Sequence, residues 1–94
     1  IYMSRAITES ICNAFENRQK MTMSNSHTDG NVLYLHGNAI ARFTEDGDLE
    51  ISNAGWTSNT TKERLNGLRG VSIHQRNFLW FLNDVPWNGD WTKI

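Results

Sequence analysis

The chain has 94 residues, of which 38% are hydrophobic, 20% charged and 11% aromatic. This composition is typical of one small globular domain and excludes a disordered chain, which would contain fewer aromatic residues. Nine Lys and Arg residues against ten Asp and Glu residues give a formal net charge of -1, which excludes a strongly basic nucleic-acid binder and a strongly acidic DNA mimic. No apolar run reaches the roughly 18 residues of a membrane span, and the N-terminus lacks a signal-like block, so we expect a soluble intracellular protein without membrane contact.

An amphipathic helix is predicted at the start of the chain. Met3, Ile7, Ile11 and Phe15 recur at every fourth position with Ala14 beside them, while the charged residues lie off this stripe. Polar residues follow and end the pattern. Because a helix of about four turns is only marginally stable alone, it must bury its apolar stripe against the rest of the chain.

Short strands separated by glycine-containing turns follow the helix. Their apolar and polar residues alternate, and the Asp-Gly and Gly-Asn pairs between them supply the positive φ angles that tight turns need. Connections this short join antiparallel neighbours, so the sequence predicts a meander and not βαβ units. The predicted strands are residues 20–26, 31–36, 39–44 and 49–53, and the predicted turns are residues 27–30, 37–38 and 45–48.

A second, short helix is predicted after the meander. Thr60 and Glu63 have the spacing of a capping box, and Asn66-Gly67 or Gly70 would end the helix. Two further strands and a tail complete the chain, at residues 71–75, 78–82 and 83–94. The sequence therefore predicts one α+β domain over residues 1–94: an N-terminal helix packed on an antiparallel meander sheet of about five to six strands, with the short helix between strands four and five.

The four tryptophans bear on how the sheet is covered. We predict Trp56 and Trp80 to be core residues, because so small a domain has little spare interior. Both faces of the strand at residues 78–82 are apolar, which indicates a second cover that the tail could supply with Trp87 and Trp91. The sequence leaves open whether these last two residues are core or contact a partner.

No catalytic residue, metal site or cofactor is predicted. The single cysteine, Cys12, lies beside the apolar stripe of the first helix, which favours a buried thiol over a nucleophile. His27, His36 and His74 have no helical i, i+4 spacing, and with one cysteine they are a poor ligand supply for zinc. We therefore expect a protein that is not an enzyme.

Acidic residues cluster on the turn at residues 45–48. Asp46, Asp48 and Glu50 alternate and would lie near one another, but the stretch lacks the twelve-residue loop of an EF-hand calcium site. Solvated carboxylates on an exposed turn are the simpler interpretation. A small nuclease stays open only if the fold brings Asp46 and Asp48 to Lys62.

Basic residues are concentrated at residues 54–76, so the near-neutral chain is predicted to have a positive region around the second helix and a negative region at the hairpin and tail. The helix N-terminus and these side chains could receive a phosphate or a carboxylate. In the alternative interpretation, Thr60 caps its own helix and the cations are merely solvated. The candidate anion-binding or nucleic-acid-binding residues are Thr60, Thr61, Lys62, Arg64, Arg69 and Arg76.

Three stretches resemble a family of small bacteriophage proteins. They are an LHGN-IA hairpin at residues 33–41 with the stretch at residues 46–52 that follows it, a GW-T corner from Gly55 that continues as TTK-R-N at residues 60–66, and a closing aromatic strand at residues 71–82. The likeness spans most of residues 31–82, and the corner is its most specific part. The resemblance implies a phage accessory protein that acts in the host cytoplasm, and it carries over no catalytic residue.

Binding is the function that these observations favour. The first hypothesis is a phage accessory protein that binds and inhibits a host macromolecular complex, such as a CRISPR or other defence complex, in the manner of an anti-CRISPR protein. The alternative is a nucleic-acid-binding protein that uses the basic segment at residues 60–76 and exposed tryptophans. A homodimer through an edge strand or an uncovered apolar face is also open. The predicted partner-binding residues are Glu45, Asp46, Asp48, Glu50, Asp84, Trp87, Asp90 and Trp91.

Overall fold

Each of the two helices is followed by a run of strands in the computed structural model, which describes the backbone of residues 2–94 and the side chains of residues 5–94. In chain order the elements of this part are α1 (Tyr2–Glu16), β1 (Lys20–Met23), β2 (Ser26–Asp29), β3 (Val32–Leu35), β4 (Asn38–Phe43), β5 (Leu49–Ile51), α2 (Asn59–Asn66), β6 (Ile73–Arg76), β7 (Leu79–Leu82), β8 (Val85–Pro86) and β9 (Thr92–Lys93). Neither of these two helices is long and apolar enough to cross a membrane.

The strands form two antiparallel sheets. The larger sheet has the order β1-β2-β3-β4-β5-β9, so the first five strands make the predicted meander and the C-terminal strand β9 pairs with β5. β6, β7 and β8 form a separate three-stranded sheet. The prediction of an α+β domain with an N-terminal helix on an antiparallel meander is confirmed. The final hairpin belongs to the second sheet and does not extend the first.

The apolar side of α1 packs on one face of the six-stranded sheet. Ile11, Ala14 and Phe15 are buried, as their spacing predicts, and the Phe15 ring stacks on Phe43 with 4.6 Å between ring centroids. The side chain of Met3, which belongs to the predicted stripe, lies outside the described side chains. The strands, the second helix and the turn after it supply further core residues, namely Leu33, Leu35, Ile40, Ala41, Ile51, Leu65 and Leu68.

The first hairpin turns earlier in the chain than the sequence indicates. The prediction of a turn at residues 27–30 is wrong, because β2 occupies most of this stretch and the chain reverses at Ser24, where φ is 55°. Ser26 and Thr28 are the buried residues of β2, and the residues that alternate with them are exposed. Since the inward positions carry hydroxyl groups, the strand lacks the apolar alternation by which a strand is recognised in a sequence.

The second helix begins with a different cap from the one predicted. The capping box of Thr60 and Glu63 is wrong: Ser58 is the N-cap, and its Oγ accepts a hydrogen bond of 3.2 Å from the backbone N–H of Thr61. Ser and Thr are both favoured N-cap residues, so two candidates two positions apart are not separated by residue type. The helix ends at Asn66, as one of the two predicted ends requires.

The tryptophans are divided between core and surface. Trp80 is 5% exposed, which confirms its predicted position in the core. The prediction for Trp56 is wrong: it is 60% exposed, because the corner between β5 and α2 leaves it uncovered. Trp87 is half-buried and packs against the core. Trp91 lies partly exposed beneath Arg42, whose guanidinium carbon is 3.9 Å from the centre of the ring.

A buried arginine joins the two helices to the sheet. Arg64 of α2 is only 1% exposed. Its guanidinium donates to Thr8 Oγ1 at 2.6 Å, to Ser26 Oγ at 2.9 Å and to Asn25 Oδ1 at 3.1 Å. Burial lowers the pKa of Arg64. Because a buried cation is costly unless it is well hydrogen-bonded, these acceptors determine how α2 sits against α1 and β2.

Removing one acceptor of this guanidinium should destabilise the fold. Thr8→Val keeps the shape of the side chain but removes the oxygen that accepts the 2.6 Å bond from Arg64. We expect the free energy of unfolding to fall by about 1–3 kcal/mol, the usual cost of a less satisfied buried donor. Chemical denaturation followed by tryptophan fluorescence measures the change. Thr8→Ser keeps the hydroxyl and should cost less, so equal losses for the two variants would contradict this role.

Candidate partner-binding surface

The turn between β6 and β7 holds a bulky side chain in a backbone conformation that favours glycine. Asn77 and Phe78 have φ angles of 51° and 68°, and positive φ at both central residues is the form required for a tight hairpin turn. The turn between β3 and β4 has this form with His36 at 51° and Gly37 at 81°. A non-glycine residue costs about 1–2 kcal/mol in this region. The strands predicted at residues 71–75 and 78–82 place this turn at residues 76–77, which is one residue too early.

An exposed apolar surface continues from this turn along the three-stranded sheet. Phe78 is 93% exposed, Leu79 and Val85 are exposed as well, and Pro86 and Trp87 follow in the chain. We refer to Phe78, Leu79, Val85, Pro86 and Trp87 together as the apolar surface. In the β7–β8 register Pro86 is opposite Phe81 and Val85 is opposite Leu82, so these residues extend over both sides of the sheet edge. Single exposed apolar residues are ordinary on a protein, whereas several of them on one hairpin and its edge strand are a candidate site of interaction.

Two grooves lie beside Pro86 and Trp87, and both residues line each groove. One groove has a volume of 410 Å³ and lies between β8 and β9, where Val85 and Ile94 complete its apolar wall. The other has a volume of 430 Å³ and is bounded by Leu79. Both are large enough to receive side chains of a partner, since pockets that bind small molecules start at about 300 Å³.

Two tryptophans attach the apolar surface to the core. The backbone N–H of Trp87 donates to the Trp80 carbonyl oxygen at 2.9 Å, and the two rings lie 6.2 Å apart. Trp87 Nε1 donates to Thr92 Oγ1 at 2.8 Å and to the Asp90 carbonyl oxygen at 3.1 Å. Trp80 lines the second groove, and its buried Nε1 has no acceptor among the described residues. The surface is therefore rigidly held, with one unsatisfied donor beneath it.

A cation and two stacked rings border the apolar surface on the outer face of the same sheet. The rings of His74 and Phe81 are stacked with 5.2 Å between their centroids. The guanidinium carbon of Arg76 lies 5.6 Å from the Phe81 ring, and Arg76 is paired in register with Leu79. The border of the apolar surface is thus positively charged on this side.

The predicted partner-binding carboxylates do not gather at the apolar surface. Glu50 forms an ion pair with Arg42 at 2.8 Å, and Asp48 forms one with Lys93 at 3.3 Å. These four residues lie on β4, β5, β9 and the turn between β4 and β5. Trp91, directly before β9, has its ring against Arg42 of β4. The charges of both ion pairs are largely neutralised where they stand.

The other predicted carboxylates lie on turns. Glu45 and Asp46 are exposed on the turn between β4 and β5. Asp90 is fixed by Asn88, whose Nδ2 donates to Asp90 Oδ2 at 3.0 Å. Asp84 is exposed on the turn between β7 and β8, directly before Val85. The structure therefore brings Asp84 and Trp87 of the predicted set to the apolar surface.

The predicted anion-binding residues are divided between the core and the surface. Thr61 and Arg64 are buried, which removes them from any surface open to an anion. Lys62 Nζ donates to Gln75 Oε1 at 2.9 Å. The remaining members are at least partly exposed, namely Thr60, Arg69 and Arg76.

The residues weighed for catalysis lie apart from the apolar surface. Burial raises the pKa of the Cys12 thiol to about 12, so the thiol stays protonated at neutral pH. Among the residues that the structure describes, no three His, Cys, Asp or Glu side chains gather as they would around a metal ion. Asp46 and Asp48 lie on or beside the β4–β5 turn, and Lys62 lies on α2.

Sequence reasoning did not identify Phe78, Leu79, Val85 and Pro86 as a surface. The signal was present in the strand at residues 78–82, whose two faces are both apolar. Trp80 and Leu82 are covered by the core, whereas the opposite face has no cover from the tail, because the tail forms the edge strands β8 and β9 instead.

Replacing Phe78 by glycine should stabilise the protein. Phe78→Gly relieves the positive φ and removes a side chain that is 93% exposed and so contributes little packing. We expect the free energy of unfolding to rise by about 1 kcal/mol, measured by chemical denaturation. Gly37→Ala makes the reverse change in the matching turn, where the added Cβ meets no atom within 4 Å. It should therefore destabilise through backbone strain alone, and a loss of stability in both variants would contradict the assigned strain.

Comparison with known proteins identifies a family match over nearly the whole chain. A family model described as Kyanoviridae Gp96 protein matches residues 3–93. Kyanoviridae are cyanophages, so the resemblance to phage proteins is confirmed at the level of a phage protein family. The chain shows no significant similarity to any curated protein or to any solved structure.

Proposed function

The chain belongs to the Gp96 family of the Kyanoviridae, and we propose that it is a non-enzymatic phage accessory protein that binds a host macromolecular complex and inhibits it in the host cytoplasm. A CRISPR or other defence complex is one such target, which would make the protein anti-CRISPR-like. The observation that carries the proposal is the apolar surface, with Phe78 held almost fully exposed in a strained turn.

Binding offsets the energetic cost of this turn. Phe78 contributes backbone strain in the free protein and gains nothing from burial there. Transfer of a phenylalanine side chain from water into a partner is worth about 1.5–3 kcal/mol, which is as large as the strain of about 1–2 kcal/mol or larger. Aromatic side chains in desolvated pockets are also the residues that dominate binding energies at protein interfaces.

The surroundings of the apolar surface have the layout of a protein interface. The centre is apolar, and exposed residues with amide or carboxylate side chains flank it in the chain, namely Asn77, Asn83, Asp84 and Asn88. An apolar centre with a polar rim is the common arrangement at such interfaces. A rigid hairpin that inserts Phe78 into a pocket acts by occupying the partner, which accounts for inhibition without chemistry.

Loss of Phe78 should abolish capture of the host complex without loss of folding. We would express the tagged chain in host cells, treat the lysate with nuclease and quantify co-purified proteins by mass spectrometry. The expected result is one host complex in near-stoichiometric yield, reduced at least about 30-fold by Phe78→Gly, as for an interface residue worth about 2 kcal/mol. Addition of the wild-type chain should then lower the activity of the isolated complex.

Trp56→Ala is the matched control, since it removes an exposed aromatic side chain in the corner between β5 and α2, outside the three-stranded sheet. It should retain full capture. Equal loss with Trp56→Ala and Phe78→Gly, or full capture with both, would contradict a role for the apolar surface.

The second candidate function is nucleic-acid binding, which the His74–Phe81 stack beside Arg76 favours. Stacked rings next to a cation on an open sheet face are a platform on which bases stack. A fluorescently labelled single-stranded oligonucleotide should then bind with an affinity that falls steeply with salt. Arg76→Gln should weaken this binding and Lys20→Gln, on β1, should leave it unchanged. Absence of binding at low salt would exclude this candidate.

A further inference from the structure

The outer edge of β1 is an open edge of the six-stranded sheet. β1 pairs only with β2 in the described part of the chain, and their register joins Met23 to Ser26 and Met21 to Thr28. A two-residue turn closes this hairpin, so Met23 and Met21 point their N–H and C=O groups at β2. Lys20 and Thr22 therefore point theirs away from the sheet. These four backbone groups have no partner among the described residues.

The other sheet edges are each obstructed. Pro86 interrupts the edge of β8, because proline has no N–H to donate. The edge of β6 is occupied by the side chain of Asn66, which accepts from the Ile73 N–H at 2.6 Å and donates to the Ile73 carbonyl oxygen at 3.0 Å. β9 has two residues and faces the groove beside β8. Of the described edges, β1 offers the longest unobstructed strand.

We propose that β1 of a second copy of this chain pairs with β1 along this edge. The two strands run antiparallel and are related by a two-fold axis at Met21. In this register Lys20 pairs with Thr22 of the second copy, and Thr22 pairs with its Lys20. All four outward backbone groups of each copy then form hydrogen bonds across the interface. The two meanders join into one continuous sheet of twelve strands. The dimer uses a surface separate from the apolar surface and does not depend on the proposed function.

The side chains of β1 favour a two-fold axis at Met21 over an axis at Lys20 or at Thr22. An axis at Lys20 would place two like charges directly opposite each other, which is unfavourable. An axis at Thr22 would pair Lys20 with the turn residue Ser24 and leave backbone groups unsatisfied. With the axis at Met21, each Lys20 faces a neutral threonine of the other copy. The partly exposed Met21 side chain then packs against Met21 of the other copy. The net charge of -1 adds little long-range repulsion between copies.

Cysteine cross-linking tests the register directly. Met21 faces Met21 of the second copy in a pair without backbone hydrogen bonds, where Cα atoms lie about 4.5 Å apart. Met21→Cys should therefore form a disulfide dimer under oxidised glutathione, seen on a non-reducing gel. Thr22→Cys is the matched control, because two such residues would lie about 9 Å apart, beyond disulfide reach. The native Cys12 is buried and does not compete.

We expect at least about ten times more disulfide dimer from Met21→Cys than from Thr22→Cys. Equal dimer from both variants would show random collision and overturn the proposal, as would no dimer from Met21→Cys. Circular dichroism of both variants verifies that each is folded.

A charge exchange at Thr22 provides a second, non-covalent measurement. Thr22→Glu places a carboxylate opposite Lys20 of the second copy, whereas Thr22→Lys places an ammonium group there. Both lose the same hydrogen bond between Thr22 Oγ1 and His27 Nδ1, so the main difference between them is the sign of the charge. Sedimentation velocity should give a dimer dissociation constant at least about threefold lower for Thr22→Glu and at least about threefold higher for Thr22→Lys than for the wild type. A wild type that stays monomeric up to about 1 mM would overturn the proposal.

Discussion

The guanidinium of Arg64 is the contact on which the arrangement of the two sheets depends. A cation in the core is costly to desolvate, and that cost is offset only where several acceptors converge with good geometry. Here the acceptors include Thr8, Asn25 and Ser26, which come from α1, the first hairpin turn and β2. Because these segments are far apart in sequence, a single side chain fixes the second helix against both layers of the domain.

The second helix passes this constraint on to the three-stranded sheet. Two residues after Arg64, the amide of Asn66 bonds both backbone groups of Ile73, and Lys62 bonds Gln75 further along β6. β6 is therefore held along its outer edge by side chains of α2 and along its inner edge by β7. A hairpin supported in this way presents Phe78 in one orientation, and such preorganisation lowers the entropic cost of binding.

The sequence was sufficient to predict elements whose inward positions are apolar, and insufficient where they are polar or strained. The spacing of Ile11 and Phe15 predicted α1, and alternation predicted most of the meander. β2 was missed because Ser26 and Thr28 face inward, and Ser26 is an acceptor for Arg64. Arg64 itself has the sequence context of a surface cation, since its acceptors lie more than thirty residues away. Phe78 was assigned to a strand, because no propensity places phenylalanine at a positive φ.

The two proposed interfaces lie at opposite ends of the domain, and this has a consequence for the kind of host target. β1 is one edge of the larger sheet, and the groove beside β8 lies at the other edge, next to β9. With neighbouring strands about 4.8 Å apart, twelve strands would separate two apolar surfaces by about 50 Å. A target with one binding site gains nothing from such a dimer. A target that repeats its site at this spacing binds the second surface at an effective concentration set by the dimer's own geometry. A dimer whose two apolar surfaces each bind one site therefore holds a repeating assembly more tightly than one apolar surface would hold a single subunit.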